Sequence, residues 1–152
     1  MEDQLTITQK ECTRLLLENR ELKSRLGLAG AVADVRSFHE KFGVPILREP
    51  TIPSEGRVKL RADLIHEESA ECTWAIETCN LIEIADGIAD TIYVCVGAAL
   101  EFGIPIVDVW EEVQRTNMLK VGGARRVDGK ILKPEGWEPP RIGAILERAA
   151  KS

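Results

Sequence analysis

Aromatic side chains are scarce, 5% of 152 residues with a single tyrosine, so a broad aromatic-rich β-sandwich is disfavoured. Aliphatic and small residues, within a hydrophobic content of 44%, must fill the interior, which suits closely packed helices. A positive balance is lacking too: 25 acidic against 20 basic residues give a net charge of -5. The chain therefore has no global attraction to nucleic acid, although a local basic patch can still bind phosphate. Its four cysteines, Cys12, Cys72, Cys79 and Cys95, show no CxxC spacing, which favours buried thiols in a reducing compartment over a metal-thiolate or disulfide framework. His39 and His66 make no recognised metal spacing. The longest mostly apolar stretch, Ile88 to Leu100, contains Asp90 and is too short to span a bilayer. The acidic opening Met1-Glu2-Asp3 does not resemble a secretion signal, so the expected location is cytoplasmic. No internal repeat or low-complexity tract divides the chain, and its length suits one domain.

What is present reads as helix. A first segment from about Thr8 to Leu26 places Leu5, Thr8, Cys12, Leu15, Asn19, Leu22 and Leu26 alternately three and four residues apart. That spacing fits either a short coiled-coil seam or an arm folded over its own domain. Residues 1–30 are accordingly set apart as a helical arm or oligomerisation segment, and residues 31–152 as the functional domain. A second helix should run from Ala31 to Phe42, with Val32, Val35, Phe38, His39 and Phe42 supplying its apolar or semi-apolar face. Pro45, Pro50 and Pro53 then impose an extended connector. Arg57 to Cys79 and Glu83 to Phe102 should form a central helix pair packed through Leu60, Leu64, Ala75 and Cys79 against Ile88, Ile92, Val96 and Ala99. Gly87 and Gly97 would let these helices approach closely. Ile106 to Asn117 and Ile142 to Arg148 complete the helices, with a short hairpin turned by Asp128-Gly129 in the tail between them. The fold class is all-α: a compact helical bundle with a central acidic helix pair.

Glu67, Glu68 and Glu71 fall on a restricted arc of the first central helix, and Asp86 and Asp90 one turn apart on the second, with Glu83 close to the same face. Antiparallel packing would make these carboxylates converge. Convergence is unfavourable when dry, whereas Mg²⁺ or Mn²⁺ would balance the charge and accept hard oxygen ligands. A solvated acidic surface is the alternative. The later basic residues Arg125, Arg126, Lys130 and Lys133 offer a complement for phosphate. Asn117 could orient a phosphate or base, or simply end its helix; Lys120 is a phosphate candidate; Trp137 could stack on a base or simply pack.

Together these segments resemble the MazG-like, all-α nucleoside triphosphate pyrophosphohydrolases, especially the group related to dimeric dUTPases. The resemblance covers about Asp34 to Leu146. The family's E-E-x-x-E motif is represented by Glu67-Glu68-Ser69-Ala70-Glu71, and its E-x-x-D motif aligns best with Gly87-Ile88-Ala89-Asp90 because Thr91-Ile92-Tyr93-Val94 and Gly97 continue the match. Asn117-Met118-Leu119-Lys120 and the segment from Asp128 to Trp137 are also similar. The chain departs where Gly87 replaces the first Glu of E-x-x-D; Asp86 is the expected substitute and Glu83 a possible auxiliary.

The resemblance implies Mg²⁺-dependent hydrolysis of a nucleoside triphosphate, with a deoxynucleotide expected, to monophosphate and pyrophosphate. Glu67, Glu68, Glu71, Asp86 and Asp90 would hold metal, with Glu68 as the chosen general base. A homodimer or dimer of dimers is the expected assembly, without nucleic acid or membrane partners. A catalytically weakened nucleotide sensor, or a helical interaction module, is the competing expectation.

Overall fold

The structure, a computed structural model, describes residues 27–151 together with Glu11 and Arg14. Those two are helical and joined by an ion pair at 2.5 Å. The expected N-terminal seam lies outside the described residues. The rest is all-α: α1 Leu28–Phe42, α2 Glu55–Glu77, α3 Leu81–Glu101, α4 Ile106–Met118 and α5 Ile142–Ala149. Among the described residues the sole β feature is one bridge, Arg125 to Ile131, where Gly129 (φ 88°) turns the tail back on itself as the Asp128-Gly129 pair suggested.

Helix α1 stops at Gly43, which takes the left-handed conformation (φ 65°) and returns its N–H to His39 O. The proline-rich connector crosses the end of α3, with Leu47 N–H donating to Leu100 O and Thr51 N–H to Phe102 O, both at 3.0 Å. A tight turn through Cys79 (φ 55°) reverses the chain, and Asn80 caps α3 by accepting from Glu83 N–H at 3.5 Å. Helices α2 and α3 then run antiparallel: Gly87 lies against Cys72, Gly97 against Arg61, and Glu101 against Arg57.

Their seam closes on small residues. Ala75, Gly87, Gly97 and Ala99 are buried, while Val35 of α1 meets Val96 and Leu100 of α3 in the apolar core. This corrects the expected packing. Leu60, Ile88 and Ile92 are exposed, the last two by 46% and 50%, because a seam this narrow has no room for large aliphatic chains. Phe38 and Phe42 are exposed as well, so the apolar face of α1 buries Val35 and His39 while these two rings form a surface aromatic group with Tyr93. Of the cysteines expected to be buried, Cys72 is half-buried whereas Cys79 and Cys95 are exposed, the former because it sits in the inter-helix turn.

The end of the pair away from that turn is sealed by charge. Glu101 is 1% exposed and accepts from Arg57 and, at 2.6 Å, from Arg61. Arg61 also meets His39 Nε2 at 3.1 Å, while His39 Nδ1 meets Pro45 O at 3.2 Å. A neutral imidazole donating from Nδ1 and accepting at Nε2 satisfies both contacts. Burial, more than any neighbour, pushes the His39 pKa down and so favours that neutral form. Burial would raise the Glu101 carboxyl, but hydrogen bonds from Arg57 and Arg61 overcome it and hold the group below its ordinary value. Gly97 makes room for this network, since a Cβ there would lie 2.8 Å from an Arg61 guanidinium nitrogen.

Helix α4 leaves α3 with a bend of 118°. Helix α5 packs on it through buried Ile145 and through Arg141 N–H, which donates to Glu112 at 2.9 Å. Arg115 and that N–H together hold the Glu112 carboxyl down to about 2. Among the described residues, no single helix is long and apolar enough to cross a membrane.

Candidate active site

The antiparallel register brings acidic residues of both central helices to one cavity of about 400 Å³. From α2 it is lined by Ala70, Glu71, Trp74 and Ala75, and from α3 by Glu83, Asp86, Gly87 and Asp90. Residues 83, 86 and 90 are spaced by three and four, so they rise along one side of α3. The two alternative E-x-x-D alignments therefore do not compete in space. Glu83-Ile84-Ala85-Asp86 and Asp90 share the same wall, and Gly87 is the floor between them.

Glu68 and Glu67 are not on that lining, but they belong to the same electrostatic group. Glu68 is half-buried and its pKa is raised, first by burial and then by Asp90, Glu71, Glu67 and Asp86 in falling order. Its leading charge partner is thus across the pair on α3, not on its own helix. Such a carboxylate binds a proton more readily than an ordinary one, a property suited to accepting a proton from water.

The donors are all hard carboxylate oxygens, matching the chemistry of Mg²⁺ or Mn²⁺. Their mutual repulsion, visible at Glu68, is also what a divalent ion would relieve. Among the described residues no three His, Cys, Asp or Glu side chains stand close enough to ligate one ion as they are placed. The donor chemistry fits, while the ligand geometry is not assembled.

Gly87 has a steric basis. A Cβ at this position would lie 2.9 Å from Cys72 Cα and 3.2 Å from its backbone nitrogen, so the missing carboxylate is the condition for the helices' close approach. Gly87→Ala is expected to lower stability by about 1–3 kcal/mol, as overpacking does, measured by thermal or denaturant unfolding. Gly87→Glu should suffer at least as much and gain no activity; a well-folded Gly87→Glu with faster turnover would overturn this account.

The basic segment is elsewhere within the chain. None of Asn117, Lys120, Arg125, Arg126, Lys130, Lys133 or Trp137 lines the acidic cavity. Lys120 donates to the Asn117 side-chain oxygen at 2.7 Å, Arg126 pairs with Asp128 at 2.5 Å, and Lys133 sits 4.0 Å above the Trp137 ring. Trp137 donates its indole N–H to Thr116 O at 2.9 Å, which ties the tail to α4. Arg125 and Lys130 are exposed along the bridged turn. Sequence reasoning passed over Trp74, although its position three residues beyond Glu71 already put both on one helix face.

A family model described as phosphoribosyl-ATP pyrophosphohydrolase matches residues 35–117, a span that makes up more than half of the chain and contains the residues lining the cavity. No curated protein matches the chain.

Proposed function

The chain belongs to the phosphoribosyl-ATP pyrophosphohydrolase family, and from this premise we propose that it hydrolyses a nucleoside triphosphate between the α and β phosphates, in the manner of the MazG-like and dimeric dUTPase-related enzymes. The observation supporting this is the single cavity walled by Glu71, Glu83, Asp86 and Asp90 from two antiparallel helices. A deoxynucleotide is the substrate proposed first. Phosphoribosyl-ATP is the second reading, favoured by the description of the matching family model.

Glu71, Asp86 and Asp90 would hold Mg²⁺ with Glu67, and Glu83 would be auxiliary. When bound, the ion would supply neutralisation of phosphate charge and polarisation of the phosphoryl oxygens. Glu68, made more basic by burial and its acidic neighbours, takes the proton of the attacking water. The water oxygen forms a bond to the α phosphorus, the bond to the bridging oxygen breaks, and pyrophosphate leaves with that electron pair. Asn117, Lys120, Arg125, Arg126, Lys130 and Lys133 serve as phosphate or base contacts, and Trp137 as a tail anchor or ring contact, delivered by tail closure or a second copy. Large exposed apolar groups such as Trp110, Met118 and Leu119 on and after α4 support assembly as a homodimer or dimer of dimers.

A substrate panel tests the reading. The full chain with Mg²⁺ is offered each ribonucleoside and deoxynucleoside triphosphate, dUTP and phosphoribosyl-ATP, products are resolved, and mass is followed across concentration. The expected result is monophosphate plus pyrophosphate for a deoxynucleotide, from an oligomer. Diphosphate plus phosphate would contradict the reaction class. Nucleotide binding without turnover would favour a sensor, and neither binding nor turnover an interaction module; an active monomer would reject obligate assembly.

A further inference from the structure

We propose that Trp74 is the stacking platform for the substrate's base, so that one end of the cavity reads the ring and the other the phosphates; this rests on the reading just given. Trp74 is 61% exposed, an unfavourable setting for the largest apolar side chain unless something covers it. It takes part in no ring stack or cation–π contact among the described residues, a property it shares with Trp110, which lies away from the acidic cavity. It is also the one aromatic residue lining the acidic cavity. That cavity, about 400 Å³, falls within the range of small-molecule pockets, roughly 300–1,000 Å³.

The antiparallel register gives the cavity two unlike ends. Because Gly87 sits on Cys72 in an antiparallel pair, Asp90, three residues further along α3, lies toward the Glu68 end of α2. Trp74 lies three residues along α2 from Glu71, toward the turn that leads into Glu83. A bare polyphosphate is repelled throughout a space walled by carboxylates, so phosphates belong where a divalent ion can be held. A flat, neutral base meets no such penalty and gains dispersion and stacking from an indole face. Every base has a π face, so Trp74 contributes affinity across bases, with hydrogen-bonding groups left to discriminate among them.

The test uses the full chain, its best nucleoside triphosphate, and the same sugar triphosphate lacking the base. Trp74→Ala should raise KM for the nucleotide about ten- to hundredfold, with a smaller change in kcat. Trp74→Phe should recover most of that loss, and neither variant should alter KM for the abasic compound. Nucleotide bound with Ca²⁺ in place of Mg²⁺ should quench tryptophan emission in the wild type and not in Trp74→Phe, a readout independent of turnover. An unchanged ratio of nucleotide to abasic KM in Trp74→Ala, or an equal quench in Trp74→Phe, would overturn the proposal. Failure of the wild type to cleave any nucleotide would strike the function reading instead, and the quench would still decide whether Trp74 meets a base.

Discussion

Asp86→Asn is expected to cost roughly a hundredfold or more in kcat/KM, as large a loss as Asp90→Asn. Both aspartates stand on the α3 wall of the cavity, and Gly87 offers no side chain between them. On the proposed Mg²⁺ reading, removing one formal charge from so small a carboxylate set would weaken both metal retention and stabilisation of phosphate charge. A loss of about 3 kcal/mol in transition-state binding corresponds to roughly two powers of ten. Unfolding is separable from this effect by its sign. Asp86 and Asp90 both raise the Glu68 pKa, so replacing either with a neutral amide relieves repulsion, and the metal-free variant should melt no lower than the wild type. The measurement is a pair of kinetic series over Mg²⁺ concentration alongside thermal melts. Wild-type activity in Asp86→Asn with none in Asp90→Asn would show that Asp86 does not substitute for the carboxylate absent at residue 87.

Glu101→Ala should produce the largest loss of stability, on the order of 3–5 kcal/mol, because Arg61 would be left buried without its anion. At about 2–4 °C per kcal/mol for a chain of this size, the melting temperature should fall by roughly 6–20 °C. The same network predicts acid sensitivity. The folded-state pKa of Glu101 is below its unfolded value, so its contribution is complete above the ordinary carboxylate value and is lost as pH falls through the lowered one. The folded pKa of His39 is also depressed, so the unfolded chain binds its proton first and stability erodes as pH drops below about 6.5. Both groups therefore make the protein weaker toward acid. A Glu101→Ala protein with the wild-type melting temperature would refute the role given to this network.

The helix order was legible because periodicity, prolines and glycines all act locally. The expected start at Arg57 is two residues inside the observed Glu55, and the expected end at Asn117 is one short of Met118. The cavity's α3 wall was also legible, since residues 86 and 90 are one turn apart whatever they pack against. Burial was not. Ile88 and Ile92 look like core residues until the neighbouring small residues set how closely the helices pack. Glu101 looks like surface, and its partner Arg61 lies 40 positions away in sequence. A clue existed in Arg57 and Arg61, like charges one turn apart on α2, an arrangement that asks for a shared anion. Charge and resemblance mark the basic tail as a complement for phosphate but fix no distance from the acids, and the structure shows Lys120, Arg126 and Trp137 engaged near home.

Gly87 also limits where the cavity can accept a further acidic side chain. The obstacle to a side chain there is the backbone of Cys72, so shrinking the Cys72 side chain would not clear it. A carboxylate at residue 87 would require the two helices to separate first, and residues at both ends of the pair hold them together. Added acidity is therefore sterically open at the rim of the cavity, as at Glu83, and closed at its floor.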